Sequence, residues 1–216
     1  MILPALVVFD MAGTTVEDGG QVPAAFTAVL AAHGIATTPD QITRVRGASK
    51  RQAIASLVAH PDDAARVYAE FQRTLAARFG EGVTAIPGAV DIFRALRQVG
   101  SKVALTTGFD REITALLIGA LSWQDVVDTV VCGDDVPNGR PAPDLIHRAM
   151  ANVGVSDASQ VAAVGDTTLD LEAGAAAGVG WNIGVLSGAH GRDALARSPH
   201  THIVGSVADL RPFWRL

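Results

Sequence analysis

Short, mostly apolar runs alternate along this chain with longer stretches of helical spacing, and that alternation predicts the architecture. The first apolar run, residues 5–9, is closed by Asp10 and a sharp turn at Gly13. From Pro87 onward the pattern repeats: helix 89–99, strand 102–106, helix 110–121, strand 126–132, helix 143–153, strand 161–165, helix 168–177 and strand 181–185. Strands that read as continuous apolar runs between helices belong to a parallel sheet covered on both faces. The expected fold is therefore α/β, a Rossmann-like parallel sheet.

Residues 22–80 break that pattern, because they read as helices only. A helix over 22–33 stops at Gly34. Ser49 is expected to cap another over 50–58, and Asp62 and Asp63 open a long one that runs to Phe79 and closes at Gly80. The expected organisation is core residues 1–17, an inserted all-helical domain over 18–82, and the remainder of the α/β core over 83–216.

Composition narrows the functional classes. A chain of 216 residues, 49% of them hydrophobic and 18% charged, can bury a sizeable core. Its formal charge of −5 argues against a surface that tracks nucleic-acid phosphates. Cys132 is the single cysteine, so no internal disulfide ties the chain to an oxidising compartment, and cytoplasm is the expectation. The apolar N-terminal run lacks a basic flank and meets Asp10 early, so neither a signal peptide nor a membrane span is expected. A homodimer is left open. The tryptophans Trp123, Trp181 and Trp214 are scattered and form no stacking platform.

Open parallel sheets bind ligands beyond the carboxyl ends of their strands. Asp10 follows the first strand, Thr106 and Thr107 end the second, and Gly165 and Asp166 end a later one, so these groups are expected on one rim. Asp166 and Asp170 place two carboxylates at a strand end and in the following helical turn. Such a pair suits a hard divalent cation such as Mg²⁺, which takes oxygen ligands and is completed by substrate phosphate, with Asp10 as a third carboxylate. For Asp170 a favourable charge at a helix N-terminus is an equal reading. Thr14 is expected to steady the turn or position a phosphoryl group, His190 to be an exposed loop residue, and Cys132 to be packing.

Four segments, in order and spacing, resemble the signature motifs of the haloacid dehalogenase superfamily. They are Asp10-Met11-Ala12-Gly13-Thr14, Thr106-Thr107-Gly108, Arg140-Pro141-Ala142-Pro143, and Gly165-Asp166-Thr167-Thr168-Leu169-Asp170. The resemblance implies a hydrolase in which Asp10 forms a phosphoaspartate, while Thr106, Thr107 and Gly108 hold the phosphoryl group and Arg140 neutralises it. It also implies that Asp10, the Ala12 carbonyl and Asp166, with Asp170, bind Mg²⁺, and that the helical insert is a C1-type cap over a small phosphorylated or phosphonate substrate.

Ala12 stands where most members carry an acid/base aspartate, and Arg140 where most carry lysine. With Asp134-Asp135-Val136-Pro137-Asn138-Gly139 before Arg140, and Phe109-Asp110-Arg111 after Gly108, these features resemble the phosphonatase-like branch. There a cap lysine forms an imine with the substrate aldehyde, so the cleaved bond leaves as an enamine and no alkoxide needs protonating. Lys50, in Arg46-Gly47-Ala48-Ser49-Lys50-Arg51, is the matching residue. Flanking Arg46 and Arg51, with exclusion of water, are expected to favour its neutral amine. Two other readings of Lys50 stand beside this one: a cation that contacts substrate, as in the similar Gly-x-Ser-Arg/Lys loop of β-phosphoglucomutase, and a solvated lysine.

Arg46, a candidate substrate contact, and Ala53 depart from the branch, which has methionine and histidine at those places. A phosphomonoesterase is therefore a second reading, and a phosphate-ligand binder without turnover, suggested by Ala12, a third.

Overall fold

A computed structural model describes residues 3–216; Met1 and Ile2, which begin the first expected core segment, lie outside the described residues. In chain order the elements are β1 (Leu6–Asp10), α1 (Gln21–Ala32), α2 (Pro39–Arg44), α3 (Lys50–Leu57), α4 (Pro61–Gly80), α5 (Ala89–Gln98), β2 (Lys102–Thr106) and α6 (Arg111–Leu121). There follow β3 (Thr129–Val131), α7 (Asp144–Val153), β4 (Val161–Gly165), α8 (Thr168–Ala177), β5 (Trp181–Val185), α9 (Arg192–Leu195), β6 (His202–Val204) and α10 (Leu210–Trp214).

The strands form one parallel sheet in the order β3-β2-β1-β4-β5-β6. Period-two alternation divides β1 between the two faces: Val7 and Phe9 enter one apolar cluster with Phe93 and Leu117, while Leu6 and Val8 enter another with Leu145, Ala149 and Ala173. Both faces are thus covered by helices, which is why all five residues of β1 are buried. The order of strands reverses direction at β1, between β2 and β4. Register sets Asp10 opposite Thr106 and Phe9 opposite Val164, so the side chains that follow these strands emerge at one rim.

Only helices lie between β1 and α5 among the described residues, as expected. Phe26 of α1 packs on Phe71 of α4 with ring centroids 4.5 Å apart, and Phe79 at the end of α4 meets Phe109 of the core edge-on at 5.9 Å. The two chain passages that join this insert to the core are tied to each other: Val16 bridges Ala85 in antiparallel fashion, flanked by Glu17 N–H donating to Thr84 O at 2.9 Å and Ile86 N–H donating to Thr15 O at 2.9 Å.

Some expectations are corrected. Strand 126–132 is only Thr129–Val131, because Trp123 plunges into the core against Phe93 at 5.3 Å and the chain must turn before it can pair. Ser49 precedes α3 but its hydroxyl makes no capping hydrogen bond. Gly80 falls inside α4 rather than after it. The short edge strand β6 and helices α2, α9 and α10 were not foreseen. No helix among the described residues is long and apolar enough to cross a membrane.

Candidate active site

Arg140 organises the rim. It arrives from the loop between β3 and α7, its side chain is 4% exposed, and its planar fork meets three elements at once. One terminal nitrogen donates to Asp10 Oδ1 at 2.6 Å, and the other donates to Thr106 Oγ1 at 2.8 Å and to Thr106 O at 3.1 Å. Its Nε lies 2.9 Å from Asp170 Oδ1. The guanidinium therefore holds Asp10 at the end of β1 and the hydroxyl at the end of β2 in fixed relation.

Asp166 sits one residue beyond β4 in a tight enclosure. Thr14 Oγ1 donates to its Oδ1 at 3.2 Å and Ala189 N–H to its Oδ2 at 2.6 Å. Glycine is required on both sides of this carboxylate: a Cβ on Gly188 would lie 1.9 Å from Asp166 Oδ2, and one on Gly13, whose φ is +93°, would lie 2.4 Å from it. Thr14 thus orients Asp166, within the mixed role expected of it.

Carboxylate oxygens of Asp10, Asp166 and Asp170 lie within 4.8 Å of one another, and all three residues are buried. Burial, reinforced by the charges of Asp10 and Asp170, pushes the Asp166 carboxyl up to about 8. Burial also raises Asp10 to about 6, against the pull of Arg140. One guanidinium does not balance three buried carboxylates, and a divalent cation, which prefers oxygen donors, fits this set. Asp170 is the most committed of the three. Besides Arg140 on Oδ1, its Oδ2 accepts Thr167 N–H at 3.0 Å and Thr167 Oγ1–H at 2.5 Å, closing a capping box at the start of α8. Both readings of Asp170 therefore meet in one side chain.

Lys50 belongs to the same enclosure rather than to the surface, which removes the solvated reading. It is 6% exposed, its Nζ donates to Ala48 O at 3.2 Å and stands 5.2 Å from the centre of the Phe109 ring. Burial lowers its amine to about 8, opposed by Asp10 and assisted by Arg140, with Asp18 and Arg46 contributing less. The flanking arginines are thus not the main cause. Arg51 points elsewhere, over the Tyr68 ring at 4.7 Å.

The loop that carries Lys50 is seated on glycines. Lys50 N–H donates to Gly108 O at 2.9 Å, a Cβ on Gly108 would lie 2.2 Å from Ala48 O, and one on Gly47 would lie 2.5 Å from Thr167 Oγ1. Gly108 is therefore placed as a docking surface for the insert. Thr107 shapes the turn: its hydroxyl accepts Phe109 N–H at 3.1 Å and its own N–H donates to Val131 O at 3.1 Å. Arg46 forms an ion pair with Asp18 and lines the cavity that Lys50, Ala12 and Asp166 also line. Ala53 is buried among the apolar side chains of the insert.

Several contributing residues were not foreseen. His190, expected to be exposed, is half-buried, and its Nδ1 accepts Thr168 N–H at 3.0 Å, while its own N–H donates to Asp166 O at 3.2 Å. Burial lowers its pKa, consistent with an unprotonated acceptor nitrogen. Asp110 joins core to insert: it accepts Ile113 N–H at 3.0 Å as the cap of α6, and also Tyr68 O–H at 2.5 Å and Gln72 Nε2–H at 2.7 Å from α4. An aspartate just before a helix signals the cap, but no local pattern signals the partners on α4.

A doubly covered parallel sheet with clamped carboxylates on its carboxyl rim is an α/β enzyme core. Residues 7–182 match the model of the haloacid dehalogenase-like hydrolases, and the chain belongs to that family. It is 32% identical to a phosphonoacetaldehyde hydrolase of Paraburkholderia phytofirmans, over 95% of this chain and 92% of the relative. Among solved structures it resembles a hydrolase from Pseudomonas syringae, with a TM-score of 0.89, 24% identity and coverage of 98% of each chain. It also resembles a phosphonoacetaldehyde hydrolase-like protein from Oleispira antarctica, with a TM-score of 0.85, 24% identity, and coverage of 99% of this chain and 93% of the other. Membership of a hydrolase family displaces the reading of a binder without turnover.

Proposed function

We propose that this hydrolase cleaves the carbon–phosphorus bond of a small phosphonate that carries an aldehyde, using Asp10 as nucleophile, Lys50 as imine former and Mg²⁺ as the divalent cation. The observation that carries the reading is the placement of Lys50. Lys50 is buried and lines one small cavity with Ala12 and Asp166, beside the carboxylate rim. The helical insert acts as the cap over that cavity.

In this mechanism Lys50 forms an imine with the aldehyde, and the Asp10 carboxylate attacks phosphorus in line. The bonding pair of the carbon–phosphorus bond flows into the iminium, giving an enamine, so no alkoxide needs a proton and the methyl of Ala12 is tolerated. Arg140 and the Thr106 hydroxyl orient the phosphoryl oxygens and offset their charge, from donors that need no rearrangement. Held by Asp10, Asp166 and the Ala12 carbonyl, with Asp170 behind them, Mg²⁺ would supply further neutralisation of those oxygens. Water then cleaves the acyl phosphate on Asp10.

Incubation with phosphonoacetaldehyde and borohydride tests the reading. A covalent adduct located on Lys50 by peptide mass is expected, and Lys50→Ala should lose both the adduct and phosphate release from the phosphonate. A second reading, hydrolysis of a phosphate ester, is favoured by Ala53, which puts no imidazole beside Lys50, and by Arg46 in the cavity wall. It expects no adduct, together with phosphate release from esters that survives Lys50→Ala.

A further inference from the structure

One buried carboxylate that shares a cavity with Lys50 has no part in the mechanism above. Asp18 lies between α1 and the paired chain passages at Val16 and Ala85, and is 8% exposed. Its Oδ1 accepts Val22 N–H at 3.1 Å, which caps α1, and its Oδ2 meets the Arg46 guanidinium. Asp18 lines the same cavity as Lys50, Ala12 and Asp166, a space of about 20 Å³ that holds no more than a water molecule. Of the two carboxylates in that lining, Asp166 belongs to the cation cluster and Asp18 does not. The chain thus returns a carboxyl group, six residues later, to the space that Ala12 leaves without one.

We propose that Asp18 is the proton-transfer residue of this site, a catalytic residue that carries the Lys50 proton during imine formation. The proposal rests on the imine reading given above. A water in the cavity they share first relays a proton from the Lys50 ammonium to the Asp18 carboxylate, which frees the nitrogen lone pair. That pair attacks the aldehyde carbon, and the carbonyl π electrons move to oxygen. One proton then shifts from nitrogen to that oxygen, giving a neutral carbinolamine. The Asp18 carboxylic acid donates its proton to the hydroxyl, which leaves as water while the nitrogen lone pair closes the carbon–nitrogen double bond. Asp18 ends as carboxylate and Lys50 as iminium, so protons and charge balance without an outside acid. Arg46 steadies the carboxylate between transfers. The same Asp18 and Arg46 border an outer cavity of about 670 Å³, into which the water can leave. The burial that lowers the Lys50 amine to about 8 makes the first transfer easier.

The test compares wild type with Asp18→Asn and Asp18→Glu, measuring the rate at which borohydride traps the phosphonoacetaldehyde adduct on the full chain. Asparagine keeps the size and the cap on α1 but carries no proton; Asp18→Ser, which also caps, replaces it if melting shows Asp18→Asn to be unfolded. Asp18→Asn is expected to slow trapping by roughly 10²-fold, as loss of a general acid–base group does. Asp18→Glu should recover part of the rate, and added formate or acetate should restore trapping in Asp18→Asn in proportion to concentration. Trapping by Asp18→Asn at the wild-type rate overturns the proposal, and so does a loss that small carboxylic acids leave unchanged, which marks a purely structural role. Failure of the wild type itself to form an adduct removes the imine reading and this proposal with it, whereas an adduct formed equally fast without Asp18 removes only the latter.

Discussion

The rim around Asp10 and the pocket around Lys50 are both buried and both ionisable, yet they are built in opposite ways. Asp10, Thr106 and Asp166 stand at or just beyond the ends of neighbouring strands, and Arg140 bonds to Asp10, Thr106 and Asp170 at 2.6 to 3.1 Å. Lys50 Nζ has one hydrogen bond, at 3.2 Å, to a carbonyl of its own loop, and is otherwise positioned by packing against Phe109 and by the seating of that loop on glycines. The contrast separates two tasks. Stabilising charge on a phosphoryl group needs dipoles fixed in advance, which a sheet edge provides. In the proposed function, placing an amine against a substrate falls to the helical insert, whose two connections to the core are paired at Val16 and Ala85.

Substitution of Asp10, the proposed nucleophile, gives the largest expected effect. Asp10→Asn should lower phosphate release by about 10⁴-fold or more in steady-state assays, because amide nitrogen and oxygen do not replace an attacking carboxylate. Folding should survive, since Arg140 retains Asp170. If instead the rim is held by packing alone, Arg140 would be dispensable to the melting of this variant, and the comparison drawn above would weaken.

Gly188→Ala addresses the rigidity of the rim itself. With a Cβ only 1.9 Å from Asp166 Oδ2, the carboxylate or the loop must move. Overpacking of this kind costs about 1–3 kcal/mol, readable in chemical denaturation, and the affinity for Mg²⁺ should fall with it in calorimetry. Unchanged affinity would show that Asp166 tolerates displacement.

Lys50→Met asks whether the pocket is as dry as its burial suggests. The Lys50 amine is lowered from 10.5 to about 8 in the folded chain. Between those values the unfolded chain holds a proton that the folded chain has released, so the contribution of Lys50 to stability rises with pH. Below about pH 8 the wild type bears the full penalty of a buried ammonium, and the variant bears none. The melting temperature of wild type relative to Lys50→Met should therefore climb from pH 8 to 10.5. A constant difference would mean that the amine is hydrated.

Tyr68→Phe has the smallest expected effect. It removes the hydroxyl that donates to Asp110 at 2.5 Å while leaving the ring under Arg51. A loss of about 0.5–1.5 kcal/mol is expected for one such bond, seen as a small fall in melting temperature, with hydrogen exchange rising in α4 more than in β1. Equal change in both would indicate that insert and core open together.

Much of the fold could be read from the chain because its signals are local. Strands 102–106, 161–165 and 181–185 and helix 168–177 have the bounds expected of them, since each is a short, mostly apolar run or opens on a capping box. Strand 126–132 was overlong because apolar Val126 and Val127 looked like strand, whereas the burial of Trp123 claims that stretch for a turn. β6 has only three residues on an edge, too few for a periodic signal. At the site, Asp10, Thr106, Arg140, Asp166 and Asp170 were legible as motif residues and do converge. Asp18, Gly188 and His190 were not, because their roles come from what other segments bring beside them.

The linear order of residues determined the parallel sheet, the helical insert and the carboxylates of its rim, since hydrophobic period and strand-end chemistry are properties of neighbouring residues. Only the tertiary structure decided which cation serves which anion. Arg46 and Lys50 lie four residues apart on one loop, yet packing turns one to Asp18 and buries the other beside Ala12. Ion pairing and desolvation depend on distances across the folded chain, and those distances are set by how the insert seats on the core.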